Sequence, residues 1–92
     1  MPTQILAVGS SALDSADQVV TAGTPLTVCL KDANGPTIDP SARVDILLKD
    51  DAGQYFQVDA LIATTRPALM IVAPGTYRFS RPAGPACGVF SG

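Results

Sequence analysis

The chain has 92 residues, enough for one domain with a thin stability margin. Its hydrophobic fraction of 47% excludes a disordered polar tail, and no apolar run approaches the ~20 residues of a membrane-spanning helix. Charged residues make up only 15%, against about 25% in an average globular domain; the net charge is −2 and the basic residues are scattered, which excludes a grip on a nucleic-acid backbone.

The N-terminus, Met1 to Ile5, lacks the basic and apolar regions of a signal peptide, so the expected site of synthesis is a cytoplasm. Gln4 to Val8 is a short apolar run and a first strand. Gly9-Ser10-Ser11 breaks it, and Ala12 to Asp17 has no clear period and reads as loop. Gln18 to Ala22, rich in β-branched residues, is a second strand, closed by the Gly23-Thr24-Pro25 turn.

Leu26 to Lys31 alternates cleanly, with Leu26, Val28 and Leu30 inward and Thr27, Cys29 and Lys31 outward. Asp32 to Pro36 is a turn, with Asn34-Gly35 supplying positive φ. Thr37 to Ser41 reads as irregular edge or loop. Arg43 to Lys49 is a strand with Val44, Ile46 and Leu48 on one face. It turns at Asp50 to Gly53 into Tyr55 to Ala63, where alternation places Phe56, Val58, Ala60 and Ile62 inward and Leu61 outward. This hairpin is the clearest local pattern in the chain.

Ala68 to Val72 is apolar on both faces, as expected of a strand buried centrally or under a partner; Leu69 and Ile71 are its inward residues and Met70 faces out. Pro74-Gly75 is a turn. In the following strand Tyr77 and Phe79 share one face, opposite Thr76, Arg78 and Ser80. The prolines of Arg81 to Pro85 make a corner, and Cys87 to Ser91 is a closing strand with Val89 inward. Short strands at this spacing, without an amphipathic helix, predict an all-β fold: a small antiparallel β-sandwich or a jelly-roll or immunoglobulin-like barrel of about seven to eight strands over residues 1–92.

Reactive groups are sparse. Histidine is absent, which removes the commonest general base and metal ligand. Two distant cysteines make no zinc site and have no histidine to activate them. Cys29, out of phase with its apolar neighbours, faces away from their side of the sheet; free thiols are expected in a reducing compartment, with an inter-sheet Cys29–Cys87 bridge as the alternative. No phosphate loop is present. The Asp-rich turns lack the calcium-loop pattern and suit capping of their own backbone. The expectation is a protein with no cofactor, no metal and no catalytic residues, binding neither nucleic acid nor membrane. Four residues are candidates for a protein interface: Arg78 and Arg81, three apart and so on opposite faces, and the outward apolar Leu61 and Met70.

The segment Pro74-Gly75-Thr76-Tyr77-Arg78-Phe79-Ser80-Arg81-Pro82-Ala83-Gly84, with its closing Gly88-Val89 pair, resembles the C-terminal stretch of small virion proteins of tailed bacteriophages. The resemblance covers about the last twenty residues, and Phe90-Ser91-Gly92 departs from the pattern. It implies a structural role, as a head decoration or cement protein that clamps the major capsid protein lattice at the virion surface, commonly as a dimer or trimer. A tail, neck or fibre component is the alternative within the same resemblance. An immunoglobulin-like module of a cellular adhesin or enzyme is the alternative outside it.

Overall fold

A computed structural model describes residues 3–32 and 39–91. The Asn34-Gly35 turn and the start of the Thr37 to Ser41 segment lie outside those residues. Nine strands are described: β1 (Thr3–Gly9), β2 (Leu13–Asp14), β3 (Gln18–Val20), β4 (Leu26–Lys31), β5 (Arg43–Lys49), β6 (Tyr55–Ile62), β7 (Ala68–Ile71), β8 (Gly75–Arg81) and β9 (Cys87–Ser91). They form two antiparallel sheets, one in the order β1-β9-β4-β7 and the other β2-β8-β5-β6, with β3 also paired to β8. The chain is therefore an all-β protein built as a small β-sandwich.

The strand count exceeds the expected eight because the Ala12 to Asp17 segment is not a free loop. It runs along β8 as β2, then Ser15, then β3. Ser15 keeps the ladder going between them. Its N–H donates to the Phe79 carbonyl (2.8 Å), and its hydroxyl accepts the Phe79 N–H (3.0 Å), standing in for a backbone carbonyl.

The alternating strands build the core as their pattern dictates. Val28 and Leu30 of β4, Val44 and Ile46 of β5, and Tyr77 and Phe79 of β8 are buried between the sheets. Leu6, Val20, Ile71 and Val89 complete the layer, and Leu26, Leu48 and Leu69 pack against it. Full burial of a side chain such as Phe79 stabilises by about 1.5–3 kcal/mol. In the β5–β6 turn, Gly53 takes φ 86°, and the Asp50 carboxylate accepts the N–H groups of Ala52 (2.9 Å) and Gln54 (2.7 Å).

The β6 alternation is corrected by the structure. Ile46 pairs with Asp59, but Leu47 pairs with Gln57, so Val58 is an extra residue in a β-bulge. The bulge shifts the phase by one. Leu61, expected outside, is fully buried opposite Val44. Val58, expected inside, is the bulged residue and is 52% exposed; Phe56, ahead of the bulge and opposite Leu48, keeps its expected face but lies 54% exposed at the end of the strand. Ile62 is only half-buried.

The central placement of β7 is also corrected. Among the described residues β7 pairs only with β4 and ends its sheet, leaving Met70 55% exposed. Pro67 precedes it and Pro74 follows its last residues, so it is short.

Candidate functional site

β6 ends one sheet and β7 ends the other, and the sandwich is open between them. A groove of about 240 Å³ runs there, lined by Ile46, Val58, Leu69, Met70, Val72 and Tyr77 among others. Val58, Met70 and Val72 are more than half exposed, and Phe56 lies on the same strand as Val58. These four form most of the large exposed apolar surface among the described residues; Leu13 and Val19, on the far edge strands, are the others. Exposed apolar side chains gathered at a groove are a feature of interaction sites and ligand-binding grooves alike.

A second cluster lies on the outer face of the β8-β5-β6 sheet. Asp17, just before β3, accepts the Tyr55 hydroxyl (2.8 Å) and pairs with Arg78 (3.2 Å) and Lys49 (3.5 Å). The Arg78 guanidinium stacks 4.1 Å from the centre of the Tyr55 ring. Its Nε is buried with no hydrogen-bond partner among the described residues. The Tyr55 hydrogen bond, and then the two cations, hold the Asp17 carboxyl below its ordinary value, against a desolvation that raises it. Asp17 is thus an anion fixed by three donors, and the cluster clasps the β2–β3 edge to the sheet.

Arg81 sits inside the sandwich. In phase with Tyr77 and Phe79, its side chain points inward and is 2% exposed. The guanidinium donates to the carbonyls of Ser11 (2.8 Å), Cys87 (2.7 Å) and Ala7. It has no carboxylate partner among the described residues. Backbone carbonyls from β1, β9 and the β1–β2 connection satisfy it, so it ties the two sheets together.

The four candidate interface residues do not converge. Met70 rims the groove, and Arg78 lies in the outer-face clasp. Leu61 and Arg81 are corrected: one is core, and the other is a buried tie with no surface to offer. The residues missed were Phe56, Val58 and Val72. The count across the hairpin is the signal for Val58, since seven residues of β5 face eight of β6 and one must be extra.

Both cysteines are free, Cys29 half-buried and Cys87 buried. Burial pushes the Cys87 thiol up, against a smaller opposing pull led by the Arg81 charge. Among the described residues no three His, Cys, Asp or Glu side chains gather as a metal site needs. None of the described helices or strands is a helix long and apolar enough to cross a membrane.

Protein-family models, curated proteins and solved structures offer no match to this chain.

Proposed function

We propose that the chain is a non-enzymatic structural protein of a tailed-phage virion, a decoration or cement protein that binds the major capsid protein lattice and stabilises the head. The observation that carries the reading is the exposed apolar strip of Phe56, Val58, Met70 and Val72 along the open side of the sandwich. Covering such a strip with another protein removes apolar surface from water, at about 25 cal/mol per Å². The low charge of the chain and the resemblance of its C-terminal stretch to virion proteins support the same reading. One such contact is weak, but on a lattice it recurs, and linked contacts raise avidity without new chemistry.

The test is to add purified protein to heads of the encoding phage that lack it, and to count the copies retained. Saturation at on the order of hundreds of copies per head supports lattice binding. About a dozen copies or fewer would place the protein in the tail or neck, and retention by no virion part would sink the reading.

A further inference from the structure

We infer that β7 of one copy of this chain pairs antiparallel with β7 of a second copy, across a two-fold axis at Met70. The two β1-β9-β4-β7 sheets then run on as one, and each β7 becomes a central strand.

The backbone phase fixes which groups are free. β4 and β7 pair without a register shift, Leu26 facing Ile71 and Val28 facing Leu69. The Leu30 N–H donates to the Pro67 carbonyl (2.7 Å), one step further along the same register. In an antiparallel ladder, hydrogen-bonded pairs alternate with non-bonded ones. Pro67, Leu69 and Ile71 therefore turn their main-chain groups to β4. Ala68 and Met70, and Val72 next in the alternation, turn theirs outward, where nothing described pairs with β7. The missing N–H of Pro67 falls on the β4 side and takes nothing from this edge. The other edges are less regular. β6 is broken by its bulge at Val58, and β1 has two register shifts against β9. β2 and β3 have two and three residues.

The side chains say what covers the edge. Ala68 to Val72 is apolar at every position, the composition of a strand with neighbours on both sides, yet β7 stands at the end of its sheet. A strand that fits beside it is apolar too, and β7 of a second copy is such a strand. With the axis at Met70, Met70 faces Met70 of the second copy, and Ala68 faces its Val72, a small side chain against a larger one. All of these pairs fall in the hydrogen-bonding phase.

Charge permits the approach. The neighbours of Met70 and Ala68 on β4 are Thr27 and Cys29, both uncharged. Lys31 is the one charged side chain on the strands of this sheet, whereas β5 alone carries Arg43, Asp45 and Lys49. Two copies thus meet along β7 with no like charges opposed. One strand a side is small against the roughly 20–30 residues a side of a standard interface, so the dimer forms in a concentration-dependent equilibrium. The pairing goes beyond the virion reading and does not depend on it. Phe56 and Val58, on β6, stay available to a different protein.

Sedimentation equilibrium of the full chain over a range of concentrations is the test, with Met70→Lys and, as a control on a far edge, Val19→Lys. We expect reversible dimerisation of the unaltered protein and of Val19→Lys, and a dissociation constant raised by about tenfold or more for Met70→Lys. Two further variants, in a Cys29→Ser background, read the register. Met70→Cys sets two thiols on the axis, with Cα atoms about 5.5 Å apart and within disulfide reach. Val72→Cys sets its two thiols about 13 Å apart along the strands, beyond that reach. Mild oxidation should link the first protein and not the second. A dimer indifferent to Met70→Lys, or a Met70→Cys protein that links no more readily than Val72→Cys, would overturn the pairing. A monomer at the highest soluble concentration would also overturn it, and leave the edge to a strand of another protein. A monomer would not alter the count of copies per head, so the two failures are distinguishable.

Discussion

Arg81 shows how a single residue can join two layers. A buried charge is tolerated only when it is hydrogen-bonded, and here three main-chain carbonyls take three of its five N–H groups. Arg81→Ala strips those carbonyls of a buried partner. The expected loss is on the order of 3 kcal/mol, a large part of the margin of a domain this small. Arg81→Lys should recover only part of it, because an ammonium cannot reproduce the planar fork. Urea denaturation of the three proteins checks the order. Asp17 gives a prediction in pH. Its folded-state carboxyl is held below the ordinary value of 3.8. The stability it contributes is therefore fully present above pH 3.8 and lost as pH falls below that through its folded value. The Tm difference between the unaltered protein and Asp17→Asn should be constant near neutrality and shrink on acidification below pH 3.8. A difference that grows with acid would contradict the clasp.

At the level of the element, what could be read depended on whether a strand keeps its period. β4, β5 and β9 begin and end where their patterns predict, because alternation and flanking turns agree there. β8 gave its faces correctly, and its phase already carried Arg81 inward with Tyr77 and Phe79. Only the habit of keeping charge at the surface hid that. β6 failed because one inserted residue reverses every later side chain, and a local pattern cannot reveal a bulge that exists only against a partner strand. The outward side of Met70 was therefore legible, and the burial of Leu61 was not. Ser15 was illegible too, since a hydroxyl that replaces a ladder carbonyl leaves no period. β9 carries a different constraint. A Cβ on Gly88 would come 2.6 Å from the Leu6 carbonyl oxygen and 2.8 Å from the Val8 nitrogen, both backbone atoms of β1. Gly88→Ala must push β1 away, at an expected cost of about 1–3 kcal/mol. A lowered denaturation midpoint with unchanged slope is the expected result.

For the whole molecule, the decisive strand is the last one. β9 lies between β1 and β4, so without it the β1-β9-β4-β7 sheet falls into separate pieces. Deleting residues 87–92 should abolish cooperative unfolding, seen as loss of the thermal transition and of dispersed amide resonances. That most contacts join distant parts of the chain also implies folding on a scale of about milliseconds to seconds rather than microseconds. The same arrangement brings Thr3 opposite Ser91 in one ladder. A short peptide would span that gap, so the backbone can be closed into a ring and reopened at the exposed Asp51 to Gly53 turn. The protein is thus suited to circular permutation, and a fluorophore or affinity tag attached near either end would report from one shared spot.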